Sequence, residues 1–194
     1  MSRIRFATAR SLYETFPELA RKSRVTPTDE PAIVFLRNLS ANHKFEEAAA
    51  FCAHLLPRRE AVWWGCGSVR SFLNEIPQSR ATCLVAAESW VHNPTDANRL
   101  QALQTGTQSD NSDCLTWLAL AAGWAGGMLS TVANQPVPVP QYLTARAVRI
   151  AILLALAPVA ASDRPQRTSA CIAEGIRLAE LGFDQRADTL REGR

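Results

Sequence analysis

Apolar residues recur three and four positions apart along nearly the whole chain, and period-two alternation is almost absent. The pattern therefore predicts helix from end to end. Ser11 with Glu14 reads as a capping box for a short helix that turns Leu12, Phe16 and Leu19 inward, with Pro17 shortening it. Lys22 to Thr28 reads as a loop, and Pro31 sits in the first turn of a helix burying Ile33, Leu36 and Leu39. Ala41 to Leu56 reads as one helix with Phe45, Ala49, Cys52 and Leu56 on a stripe. Pro57 ends it and opens Arg58 to Leu73, with Val62, Cys66, Val69 and Leu73 inward. After the Ile76-Pro77 break, Gln78 to His92 presents Leu84, Ala87 and Val91 on one face. Asn93 is the expected cap of a helix ending at Leu103, and Thr105 to Asn111 is the expected loop. Ser112 or Asp113 caps an uncharged helix stopping near Gly126-Gly127, and Asn134 to Gln141 predicts extended polyproline chain. Thr144 is the expected cap of Ala145 to Leu156. Ser162 is that of a last helix with Ile172, Ile176 and Ala179 inward, ending at Gly182. Eight or nine helices on short links define an all-α class: a single orthogonal bundle or stacked helical hairpins over residues 1–183. Residues 184–194 form a polar C-terminal tail, and no fixed repeat period occurs.

Composition narrows this picture. The chain has 194 residues, 47% of them apolar, which is enough for one buried core. Thirty-one residues are Ala, which favours helix and lets helices approach closely. The net charge of +3 is too balanced for the clustered basic face of a nucleic-acid binder, so no nucleic acid is expected. Nineteen of the twenty-one basic residues are Arg, and only Lys22 and Lys44 are Lys. Five Cys, an odd number with none close together, predict reduced thiols in a cytoplasmic protein rather than a disulfide framework. The N-terminal stretch carries no secretory signal.

Leu115 to Ala133 is a nineteen-residue uncharged run, long enough to span a bilayer, and Ile150 to Ala161 follows as a second apolar run. The first is rich in Ala, Gly, Ser and Thr, the second is short, and Arg149 flanks it. A buried helical hairpin is the expectation, with membrane association through 115–161 as an alternative.

No metal-ligand spacing, phosphate loop or nucleophile signature is present, so no cofactor and no metal are expected. Glu46-Glu47 and Asp110 with Asp113 read as solvated or capping carboxylates. Glu174 and Glu180 beside Arg177 read as surface pairs. Cys66, between Gly65 and Gly67, is a core residue by its place on the apolar stripe; as a nucleophile it would need a low pKa and a base. A small helical enzyme using Cys66 or a carboxylate is thus the other alternative. The two glycines predict close approach of a neighbouring element.

The most distinctive segment runs from Leu56 to Gly67. Trp63 and Trp64 are adjacent on a helix and differ in direction by about 100°, so one belongs to the core and the other to an edge. Arg58 and Arg59 stand at a helix N-terminus, where positive charge is unfavourable, so they call for a partner or an internal acid. Arg58, Arg59, Trp63, Trp64 and Arg70 are the candidate protein-binding residues, because Trp and Arg are enriched at interface hot spots. Three stretches, LPRREAVWW, WLALAAGWAGG and PVPVPQYLTARAV, resemble an uncharacterised family of small bacterial helical proteins, over most of residues 50–160. The resemblance implies an accessory role in the bacterial cytoplasm, beside type VI secretion components, and supplies no catalytic residue. The function expected is a non-catalytic interaction or adaptor module with a protein partner.

Overall fold

The computed structural model describes residues 5–73, 75–78, 80–130 and 137–182. Among them the chain is all-α. The helices are α1 (Ala9–Thr15), α2 (Pro17–Ala20), α3 (Ala32–Ala41), α4 (Phe45–Leu55), α5 (Arg58–Phe72), α6 (Thr82–His92), α7 (Asp96–Thr107), α8 (Cys114–Gly123), α9 (Tyr142–Leu156) and α10 (Arg164–Leu181). A small ribbon, β1 (Met128–Ser130) antiparallel to β2 (Val137–Pro138), lies between α8 and α9.

Several boundaries move from their expected places. The first capping box is Thr8 with Ser11, each hydroxyl accepting from the other's backbone N–H, so α1 opens before Ser11 and Glu14 is exposed. The helix expected over 41–56 opens only at Phe45, and Ala41 is the last residue of α3. His43 takes φ 55°, the Lys44 N–H reaches the Leu39 carbonyl at 3.0 Å, and the His43 N–H reaches Ser40 at 3.1 Å. That pairing is a Schellman motif closing α3, with His where glycine is usual. Thr95, not Asn93, caps α7 by accepting from the Asn98 N–H at 3.3 Å. α7 also continues to Thr107 through the expected loop, because Gly106 is packed against Leu120. Thr144 caps nothing: it lies buried inside α9. Ser162 gives no cap to α10 either; Asp163 holds that position, and Gly182 at φ 77° ends the helix. Val137 and Pro138 are strand rather than polyproline; residues 134–136 of that expectation, and the tail at 184–194, lie outside the described residues.

The uncharged run is explained by position. α8 is surrounded by α5, α6, α7 and α9. Every α8 residue except Trp117 is buried, so it has no solvent face on which to carry charge. No helix among the described residues is long and apolar enough to cross a membrane. Glycines set the helix spacing. A Cβ on Gly123 would lie 2.7 Å from Leu103 Cα, and one on Gly65 would lie 3.0 Å from Leu118 Cδ2, whereas one on Gly67 meets nothing within 4 Å. Gly65 therefore fits the expected close approach and Gly67 does not. Gly123→Ala forces backbone apart and is expected to cost about 1–3 kcal/mol. Gly67→Ala, at an exposed position inside α5, is expected to stabilise by about 0.5–1 kcal/mol. Urea unfolding of the two variants checks both signs.

Arginine closes the helix ends. The last carbonyls of a helix lack intrahelical donors. Arg5 donates to Leu56 at the end of α4, Arg167 to Ser71 and Phe72 at the end of α5, and Arg59 to Val91 in the last turn of α6. Arg99 donates to Gly123 and Arg58 to Ala125 at the end of α8, and Arg164 to Ala157 and Val159 just past α9. These are contacts between elements, and each places positive charge at the negative end of a helix dipole. The planar five-donor fork of Arg lets Arg164 and Arg167 each serve two carbonyls at once.

Candidate functional site

The expected binding segment is largely architecture. Trp64 is 1% exposed and its Nε1–H donates to the Cys171 carbonyl at 2.8 Å, so it joins α5 to α10 and presents no surface to a partner. Trp63 is half-buried and meets the His92 ring edge-on at 5.4 Å; it is the edge member of the pair. Arg58 and Arg59 spend donors on the carbonyls of Ala125, at 2.7 Å, and Val91, at 2.6 Å. Each of the two thus reaches the carbonyl end of another helix. Arg70 forms a forked salt bridge with Glu88 of α6, at 2.7 and 2.8 Å.

Cys66 sits in the core. Burial pushes its thiol well above the usual range, so it is protonated at neutral pH and is no nucleophile in this conformation. All five cysteines are buried free thiols, and no three His, Cys, Asp or Glu among the described residues gather to hold a metal. Asp113 caps α8, accepting from Leu115 at 3.0 Å, and Glu174 pairs with Arg177 as expected, whereas Glu180 reaches across to Arg37 of α3 at 2.7 Å.

Several concavities open on the described residues, one of about 200 Å³ against Trp63, Trp64 and Gly67 among them, and two others bear most on function. The first is a cleft of about 270 Å³ whose walls are the 13–24 segment, α4 and α9. Tyr13 and Glu18 come from the first wall, His54 from α4, and Tyr142, Arg146 and Arg149 from α9. His54 is 5% exposed. Its Nδ1 lies 2.7 Å from the Ala50 carbonyl, which can only accept, so Nδ1 carries the hydrogen and Nε2 is left as an acceptor. Burial, seconded by the charges of Arg149 and Arg5, pushes its pKa down to about 4, against the helix carbonyl bond that favours the cation. Glu18 Oε1 and Arg149 Nε are sealed from solvent without hydrogen-bond partners. Glu46 approaches the far side of Arg149 at 3.8 Å. Nothing in the sequence marked this group. Arg149, which with Arg146 interrupts the apolar sequence of α9, is the one local signal the sequence carries.

The second is a groove of about 1000 Å³ along α10, walled by the α3–α4 corner and the end of α9. Phe45, Leu156, Ile172 and Ile176 form its apolar floor, while Arg37, Lys44 and Arg164 stand on its rim. Its α10 wall, from Pro165 to Ile176, covers three helical turns, about 16 Å.

Fold and concavities together define a small all-helical domain with a polar cleft on one side and an open apolar groove beside it. The chain belongs to a family of unknown function, DUF6931, whose model matches residues 35–179. No curated protein and no solved structure matches it. Tyr13 and Glu18, one wall of the cleft, lie ahead of the matched span.

Proposed function

We propose that this chain is a non-catalytic adaptor of the bacterial cytoplasm that seats an amphipathic helix of a protein partner in the groove along α10. The observation that carries this reading is the groove's shape and chemistry. It is three turns long, with Ile172 and Ile176 at helical spacing on its floor and small residues, Thr168, Ser169 and Ala173, on its wall. An apolar stripe at i, i+3, i+4 and i+7 is the partner surface that fits such a groove. The five unpaired thiols support a reducing compartment. The link to type VI secretion rests on the resemblance of the three sequence stretches alone.

The test is capture from the native bacterium with wild type, Ala173→Arg, and Trp63→Ala/Arg70→Glu. Ala173 is exposed, so the added arginine fills the groove without entering the core. A stoichiometric partner that Ala173→Arg loses at least tenfold, and the α5 variant keeps, is the expected result. Loss confined to the α5 variant moves the interface to Trp63 and Arg70. Absence of any partner, or equal capture by all three proteins, rejects the adaptor reading.

A further inference from the structure

The cleft between the 13–24 segment, α4 and α9 carries a pair of features that structural packing does not explain. Two of its wall residues hold polar atoms that are sealed from water and unpartnered, and the two are of opposite kind. Glu18 Oε1, from α2, is an acceptor lacking a donor. Arg149 Nε–H, from α9, is a donor lacking an acceptor. Buried polar groups are overwhelmingly paired in folded proteins, so an orphan of each sign on one cavity is a functional signature. Their own charges do not cancel one another, for Arg149 turns to Glu46, at 3.8 Å and mostly solvated. Around them the cavity carries charges of both signs, with Glu46 and Glu47 adding to Glu18 and with Lys22 and Arg24 adding to Arg149. His54 is neutral, with Nε2 an acceptor, Tyr13 and Tyr142 bring hydroxyls, and Arg146 adds a second cation beside Arg149.

We propose that this cleft binds a small zwitterion of the α-amino acid class, its ammonium received by Glu18 and its carboxylate by Arg149 and Arg146. The volume, about 270 Å³, suits a molecule of that size. A purely anionic ligand would leave Glu18 unpaired beside negative charge, and a purely cationic one would leave Arg149 unpaired; one molecule carrying both groups relieves both orphans. Contact requires only that the terminal torsions of the two side chains turn toward the cavity, which staggered rotamers and broad carboxylate torsions allow. The cleft adjoins the α10 groove through Glu46 and Glu47, but neither Glu18 nor Arg149 lines the groove and Ala173 does not line the cleft, so the variants that test the two readings are distinct.

The experiment is a thermal-shift and calorimetric titration of the full chain. The probes are the twenty proteinogenic amino acids, with the des-amino acids and decarboxylated amines of each as paired controls. At least one amino acid is expected to bind and raise Tm, with both of its truncated analogues at least tenfold weaker. Glu18→Gln and Arg149→Met are each expected to weaken that amino acid at least tenfold while leaving the helical circular dichroism unchanged. Arg149→Lys, which keeps charge but not the fork, is expected to fall between. Binding of the carboxylic acids as tightly as the amino acids overturns the zwitterion assignment, as does binding that survives Glu18→Gln. Absence of any response across the panel overturns the site.

Discussion

Replacing Trp64 by Ala is expected to remove about 3–5 kcal/mol of stability, a large share of the roughly 5–15 kcal/mol a folded domain has in hand. A change that large lowers Tm by on the order of 10 °C for a chain of this length. The reason is placement. Trp64 is the largest fully buried side chain, and it fills the junction of α5 and α10 where Gly175 leaves room: a Cβ on Gly175 would lie 3.1 Å from Trp64 Nε1. Nothing flexible stands by to fill the hole, since the same glycine already lies against the Cys52 sulfur. Its neighbour Trp63, half-buried against His92, is expected to cost roughly 1 kcal/mol on the same replacement, an ordinary value for a partly exposed side chain. Trp64→Phe separates the two contributions within Trp64. It keeps the apolar plane and loses the donor to the Cys171 carbonyl, and is expected to cost about 1–2 kcal/mol. Apolar burial is thus expected to outweigh the hydrogen bond at this site. Chemical denaturation of the three variants, with unchanged m-values, measures all of it. Equal losses for Trp63→Ala and Trp64→Ala would contradict the packing described.

Stability is expected to fall by about 3 kcal/mol between pH 6.5 and pH 4 on account of His54 alone. The sign follows from which state binds the proton. Unfolded, His54 titrates near its ordinary value of 6.5; folded, it stays neutral down to about 4. In that window the unfolded chain holds the extra proton, so unfolding gains as pH falls, and stability is fully restored above pH 6.5. About 2.5 pH units of separation correspond to about 3 kcal/mol. Burial is the principal cause, with Arg149 and Arg5 adding repulsion of the cation, and the Phe16 ring stands edge-on 4.9 Å away. Asp113, whose pKa is lowered by Arg80 and the Leu115 N–H against its own burial, loses its contribution at still lower pH. The measurement is urea unfolding of wild type and His54→Gln at pH 4.5, 5.5 and 7. The variant is expected to show a flatter slope whatever its absolute stability. Parallel slopes would place a water path to His54 and remove this account.

The α10 groove and the cleft were unequally legible. Ile172 and Ile176 could be read as an inward stripe from their spacing alone. That Ile172 is buried while Ile176 stays partly open beneath a groove depends on how far α10 stands from the α3–α4 corner. That corner exists only because His43 adopts a left-handed conformation, and a pattern that reads 41–56 as one helix cannot see it. The cleft was invisible. Glu18, His54 and Arg149 are far apart in sequence, each is ordinary by itself, and only their meeting makes them notable.

Helical periodicity, proline positions and the small residues determined the all-α class, the inward faces of α3, α5, α6 and α10, and the division of Trp63 and Trp64 between edge and core. These follow from local rules: a 3.6-residue period and a fixed angle between neighbours act within a few residues. The partners of each side chain were decided by tertiary structure. Arg58 and Arg59 look in sequence like a basic patch seeking an acid. In the fold they meet the carbonyl ends of α8 and α6, because helices crossing end-to-side bring orphan acceptors to a helix N-terminus that no local pattern encodes. The same reason makes an uncharged run a central helix rather than a membrane span: whether α8 is surrounded by protein or by lipid is a property of what packs around it, and here α5, α6, α7 and α9 do.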